Sequence, residues 1–243
     1  MNTPHPNSQR RPKHPYWPRR LVLAAVIAGI SPSFSATAST VDWAEGCMPF
    51  IPVAEQYYHL PPGLLLAIAL TESGQDGAPH PWALNIAGQA VIAPSYRAAA
   101  AMLRSVDGRP RRDIAIGCMQ IHMQYHLDRF GEPEWALHPR YNVWYAALYL
   151  DQLRRQYGNI LSAIAHYHGS DPVAQRDYLC RVSNHLSRTA PATRDALGLG
   201  SCEQVKIAAP TTIGRAAWQG RTRSIVMAMR RVGRIIVLGA DHP

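Results

Sequence analysis

Leu64-Leu65-Leu66-Ala67-Ile68-Ala69-Leu70-Thr71-Glu72-Ser73-Gly74 reads LLLAIALTESG, an apolar run that ends on a carboxylate. Pro61-Pro62 just upstream supplies a helix start, because proline is tolerated in a first turn, and Gly74 supplies the end. A helix this apolar on all sides must be buried. Burial disfavours the charged form of Glu72, and the negative end of the helix dipole pushes the same way. The stretch therefore sets an acid that stays protonated near neutral pH at the end of a buried helix, which is what a general acid requires. A solvated Glu72, or one paired with an arginine such as Arg97, is the structural alternative.

Helical spacing continues on both sides. Val41 to Tyr58 places Trp43, Cys47, Ala54 and Tyr58 on one face despite Pro49 and Pro52. Residues 75–95 carry Gly, Pro and Asn and read as a loop with a short hairpin around Asn85–Ile92. Ser95 is an N-cap for Tyr96 to Ser105, and Asp107-Gly108-Arg109-Pro110 is a turn. Ile114 to Phe130 is an apolar-periodic stretch. Asn142 to Tyr157 is amphipathic, Ile160 to His168 is another helix, and Pro172 to Leu186 is a last one. The fold class is mainly α, with one irregular or β-hairpin insertion.

The ends differ from the middle. Met1 to Arg20 holds five basic residues and no acid, Leu21 to Ile30 is a short apolar block, and Ala36-Thr37-Ala38 is an A-x-A site. Residues 1–38 read as a secretory signal peptide cleaved after Ala38, which predicts a periplasmic protein; an uncleaved anchor is the alternative. The whole chain carries a net charge of +9, but residues 39–190 hold 12 arginines and no lysine against 13 acids. A near-neutral core gives no electrostatic support to nucleic-acid binding. Residues 191–243 hold 8 basic and 3 acidic residues and read as a basic tail. Within it, Ser224 to Leu238 has the pattern of a cationic amphipathic helix suited to a membrane surface or a partner. Four cysteines, Cys47, Cys118, Cys180 and Cys202, allow three pairings in an oxidising compartment. Cys180 and Cys202 stand near enough in sequence to clip the tail to the core, and Cys118, in an apolar turn, is the best candidate for a buried thiol.

Three more segments carry chemistry. Gly117-Cys118-Met119-Gln120-Ile121 sets a polar amide among apolar neighbours. Ala163 to Ser170 ends a helix with Tyr167 and His168 ahead of a glycine. Trp82 to Gly88 offers an aromatic face and the Asn85 amide, both suited to sugars. Taken in order, Ile68–Gly74, Gly117–Ile121, Tyr141-Asn-Val through Tyr149-Leu, and Ala165-His-Tyr167 resemble the E-S-G, G-L-M-Q-I, helix-start Asn and A-Y-N motifs of the soluble lytic transglycosylase (SLT) domain, of the lysozyme-like superfamily. The resemblance spans roughly residues 43–185. The Leu-Asn-Ile-x-Gly segment, Asp113 to Ile121, and Tyr167-His168 are most similar to the branch that accompanies conjugation and type IV secretion systems.

That resemblance implies a goose-type/SLT helical domain over residues 39–190 and an enzyme acting on peptidoglycan strands, without metal or cofactor. Glu72 would be the sole acid/base, first protonating the oxygen between N-acetylmuramic acid and N-acetylglucosamine, then drawing the proton from the muramoyl 6-hydroxyl as it attacks C1. Ser73 would support Glu72. Gln120 would bind substrate beside it, Met119 would line the groove, and Tyr167 would hydrogen-bond near Glu72. Trp82 and Asn85 would meet the sugars. His168 stands where many members have Asn, and Cys118 replaces a common Leu. The implied partners are envelope proteins of a conjugation or secretion machine.

Rival readings remain. A lysozyme-type hydrolase needs a second carboxylate or a positioned water, for which Asp76 and Asp113 are candidates; turn capping is their plainer role. His122 and His126 have H-x-x-x-H spacing, but Met123 occupies the place of the glutamate in a zinc-protease motif. A non-enzymatic peptidoglycan-binding scaffold is the third.

Overall fold

The computed structural model describes residues 46–210. The expected leader at 1–38, the start of the Val41–Tyr58 helix and the Ser224–Leu238 segment lie outside the described residues.

A short 3₁₀ turn, Met48–Phe50, leads into α1 (Ile51–Tyr57). Next comes α2 (Leu64–Ser73), which carries Glu72. Two small hairpins follow: β1 (Gly74–Gln75) with β2 (Ala78–Pro79), then β3 (Ala83–Ile86) with β4 (Gln89–Ile92). After α3 (Tyr96–Ala101) the chain adds β5 (Ile114–Ile116) and β6 (Ile121–His122). The four longer-range strands form one antiparallel sheet in the order β4-β3-β5-β6, with Leu84 opposite Val91 on one side and Ile116 on the other. The remainder is helical: α4 (Met123–Phe130), α5 (Pro133–Leu137), α6 (Pro139–Tyr157), α7 (Ile160–His168), α8 (Pro172–Thr189), α9 (Pro191–Ala196) and a 3₁₀ segment, Leu199–Gln204.

Local chemistry sets the helix starts. Ser95, Asn159 and Asp171 each cap a helix by accepting a backbone N–H three residues on, at 3.1, 2.8 and 2.8 Å. The start of α2 has no such neighbour. There Glu55, buried on α1, accepts from the Gly63 N–H at 2.9 Å and the Leu65 N–H at 2.7 Å. Gly63 itself sits at φ +79°, and a Cβ on it would lie 2.5 Å from that of Ala190.

α2 is the axis of the core. Leu64, Leu65, Ala67, Ile68 and Ala69 are fully buried, against α8 and the helices around it. Each large side chain among them contributes about 1.5–3 kcal/mol of burial. This burial all round is what the apolar run requires.

Ile114–Phe130 is not one periodic element but strand, tight turn, strand and helix. The break comes from Gly117 at φ +76° and Gln120 at φ +45°. Residues 191–210, placed with the tail on charge alone, fold onto α8. Cys180 and Cys202 are joined, Leu199 is fully buried, and the Ser183 hydroxyl donates to its carbonyl at 2.7 Å. Cys118 is buried as expected but is no thiol: it is bonded to Cys47, 71 residues away.

Candidate active site

The last turn of α2 delivers Glu72 to the wall of a groove of about 970 Å³. Gly74 lets the chain leave the helix at once, since a Cβ there would stand 2.4 Å from the Leu70 carbonyl oxygen. Ser73 points the other way, into protein. Its hydroxyl lies 2.8 Å from the Cys118 carbonyl, to which it donates, and accepts from the His80 N–H at 3.2 Å. The residue after the acid thus ties α2 to the turn at 117–120.

That turn is held by Asn142 of α6. Its Oδ1 accepts from the Met119 N–H, and its Nδ2 donates to the Ile116 and Ala136 carbonyls, all at 2.8 Å. All of this is buried, so every bond counts. A Cβ on Gly117 would come 2.7 Å from Asn142 Nδ2, so only glycine fits.

Gln120 enters the groove from the same turn. Its Nε2 donates to the Ala83 carbonyl at 3.1 Å and the Gly117 carbonyl at 3.0 Å. Both partners are acceptors, which fixes the amide orientation and leaves Oε1 as the atom free to accept from a ligand.

Glu72 itself is gripped by Tyr178 of α8, whose hydroxyl donates to Oε1 at 2.6 Å. The acid keeps some solvent access along the groove, but the protein packed around its carboxyl removes enough water to push its pKa up to about 7. The Tyr178 bond and the Arg181 charge pull against that rise. Tyr178 is fully buried, and burial and the Glu72 charge hold its hydroxyl well above the usual phenol range. His168 stacks on its ring at 4.7 Å and 10°, and the Arg181 guanidinium lies 5.6 Å over it. Neither the sequence pattern of α8 nor the A-Y-N match singled out Tyr178. The one available signal was a hydroxyl on the buried stripe of an amphipathic helix.

Glu72, Asn85, Gln120, Tyr167 and His168 share the groove wall. Tyr167 gives its hydroxyl to the Met119 carbonyl at 2.8 Å rather than to Glu72. Three other expected binding residues do not face the groove. Ser73 is buried between α2 and the turn, and Met119 is 0 % exposed. Trp82 packs against the core with its indole N–H buried and, among the described residues, without an acceptor.

The rival acids are elsewhere too. Asp76 is exposed in the β1–β2 turn at φ +51°, and Asp113 is paired with Arg111 at 2.6 Å, which holds it below the usual carboxylate range. Among the described residues Asp171 is the other carboxylate on the groove, and it caps α8. His122 Nδ1 accepts from the Gln124 N–H as a helix cap. His126 meets the Tyr145 hydroxyl at 2.7 Å, and burial pushes its pKa down to about 4. Among the described residues no three His, Cys, Asp or Glu side chains converge as a metal site.

No curated protein and no solved structure matches the chain. A family model, that of the transglycosylase SLT domain, matches residues 49–177, the stretch that contains α2, the 117–120 turn, Asn142 and Tyr167. The chain belongs to the transglycosylase SLT domain family of the lysozyme-like superfamily, the lytic transglycosylases that act on peptidoglycan.

Proposed function

We propose that Glu72 is the single acid/base of this enzyme, which cleaves the β-1,4 bond between N-acetylmuramic acid and N-acetylglucosamine and leaves a 1,6-anhydro end. The observation that carries the reading is the Tyr178–Glu72 pair: a carboxyl raised to about 7 and oriented by a buried hydroxyl on the wall of a groove. Protonated Glu72 gives its proton to the glycosidic oxygen as the bond to C1 breaks. The carboxylate then takes the proton of the muramoyl 6-hydroxyl as that oxygen bonds to C1. The proton inventory closes on Glu72, and no water is consumed. The nucleophile belongs to the same sugar, so proximity stands in for a second carboxylate. Gln120 Oε1 and the Asn85 amide supply bonds to the acetamido and hydroxyl groups, with Tyr167 and His168 beside the acid.

Asp171 is the observation that keeps lysozyme-type hydrolysis as a second reading, because a hydrolase needs a further carboxylate or a positioned water. Mass spectrometry of fragments from purified wall separates the two. Anhydromuropeptides made by the parent and not by Glu72→Gln are the expected result. Reducing-end muropeptides would transfer the reading to a hydrolase, and release by Glu72→Gln would remove Glu72 from its role.

The wider setting rests on the sequence: a signal peptide at residues 1–38, a periplasmic catalytic domain that starts at 39 and, with 191–210 folded onto α8, runs past the expected boundary at 190, and a basic tail after it. The enzyme then opens the wall locally for a conjugation or secretion apparatus. Loss of DNA transfer on Glu72→Gln, with export intact, is the expected outcome in cells.

A further inference from the structure

Beyond the acid, the groove continues along α6. Tyr149, Leu153 and Tyr157 recur every four residues on that helix and all line the groove. Tyr149 meets the Tyr167 ring at 5.6 Å, at the Glu72 end. Tyr157 lies two repeats on, about 12 Å further along the helix axis. There it stacks on His166 of α7, centroids 3.6 Å apart and rings 7° from parallel.

His166 is fixed by its edges. Gln175 Nε2 donates to its Nδ1 at 2.8 Å and also donates to the Gly169 carbonyl at 2.7 Å. With Nδ1 accepting, the ring proton is on Nε2, which donates to the Ala208 carbonyl at 3.3 Å. Ala208 is held in turn, its N–H donating to the Ser162 hydroxyl at 2.8 Å. Residues 205–210 are thus a strap across α7, with Val205 and Ile207 packed on the core, and the strap braces a ring on the groove wall.

We propose that the Tyr157–His166 pair is a platform for a pyranose ring of the glycan strand, remote from the scissile bond, and that the strap at 205–210 holds it in place. The proposal rests on the peptidoglycan reading above. A rigid aromatic pair offers an apolar face at little entropic cost, and the exposed Ser170 hydroxyl and Asp171 carboxylate, which also line the groove, supply polar contacts. The charge of the wall favours sugar over stem peptide. Among the described residues its lining includes Glu72 and Asp171 but no Lys or Arg to meet peptide carboxylates.

The test is calorimetric titration of the full chain, carrying Glu72→Gln to block turnover, with the dimer and the hexamer of N-acetylglucosamine. The hexamer should bind more tightly than the dimer. His166→Ala should weaken the hexamer roughly tenfold, the worth of about one aromatic contact, and leave the dimer unchanged. His166→Phe, which keeps the ring, should retain most of the affinity. Ser162→Ala should give a smaller loss, again for the hexamer alone. Equal losses for both oligomers, no loss, or a hexamer no tighter than the dimer would overturn the platform. So would tighter binding of a peptide-bearing fragment that His166→Ala abolishes, since that assigns the wall to the stem. Failure of the otherwise unmodified chain to release any fragment from purified wall would instead overturn the function on which the platform rests.

Discussion

The Tyr178 hydroxyl donates to Glu72 Oε1 at 2.6 Å across 106 residues of sequence, joining the end of α2 to the middle of α8. The bond favours the carboxylate, whereas burial favours the acid, and burial wins, leaving the pKa at about 7. Tyr178→Phe removes the downward pull. The alkaline limb of the kcat profile should therefore move above its parental position near 7, while kcat falls roughly tenfold as the carboxyl loses its orientation. A merely structural tyrosine would lower stability and leave the limb in place, so the pH profile is the deciding readout.

Glu72 also makes stability depend on pH. Its folded pKa of about 7 lies above its ordinary value of 4.5. The folded state therefore binds the extra proton, and stability is lost as pH rises from 4.5 through 7. The full loss is about 3 kcal/mol. Glu72→Gln carries no such charge. It should match the parent near pH 4 and melt several degrees higher near pH 8, on the order of the shift that a few kcal/mol produces. Parallel melting curves with no such crossover would mean that the acid is not desolvated.

Asn142 and Gly117 form one fitted pair. Asn142→Ala leaves the buried Met119 N–H and the Ile116 and Ala136 carbonyls without partners, at a cost of about 3 kcal/mol. Asn142→Asp should be no milder, because it turns an oxygen toward the two carbonyls. Gly117→Ala meets both a positive φ and the Asn142 side chain. All three should also lower kcat, because the same turn carries Gln120 and receives Ser73. Chemical denaturation with activity assays on the folded fraction separates the two effects.

The helical skeleton was legible because its signals are local. Ser95, Pro172 and the apolar run at Leu64–Leu70 announce their elements within a few residues. The turn at 117–120 was harder, because the apolar stretch from Ile114 to Phe130 reads as continuous until two positive-φ residues break it. Glu72, Asn85 and Gln120 were legible as residues that reach the groove. Met119 was misplaced there, since motif membership does not say which way a side chain points, and its backbone rather than its thioether is what Asn142 and Tyr167 use. Tyr178, the Cys47–Cys118 bond and the strap at 205–210 depend on contacts between distant segments, which no local pattern encodes.

The two disulfides should differ in worth. Cys47–Cys118 closes 71 residues and Cys180–Cys202 closes 22. Chain entropy assigns them about 4 and about 3 kcal/mol. Replacing Cys47 and Cys118 together by alanine should therefore lower the melting temperature more than replacing Cys180 and Cys202. The first pair should also cost activity, since Cys118 lies in the turn whose carbonyl receives Ser73. Equal activity of the two double variants at a temperature where both are folded would show that the turn holds without its cross-link.

Glu55 is the counterpart of Glu72 at the other end of α2. It is buried, and its two oxygens accept from Gly63 and Leu65 N–H groups that no residue of the helix itself can satisfy. Glu55→Ala leaves one buried and one part-buried donor bare, which costs about 2–4 kcal/mol. In a domain of this size that lowers the melting temperature by roughly 5–15 °C. Glu55→Gln keeps one acceptor and should fall between. Because Glu55 touches neither the groove nor the turn, kcat of both variants below their melting points should stay near the parental value. A drop in kcat without a drop in melting temperature would mean that α2 transmits changes at its start to the acid at its end.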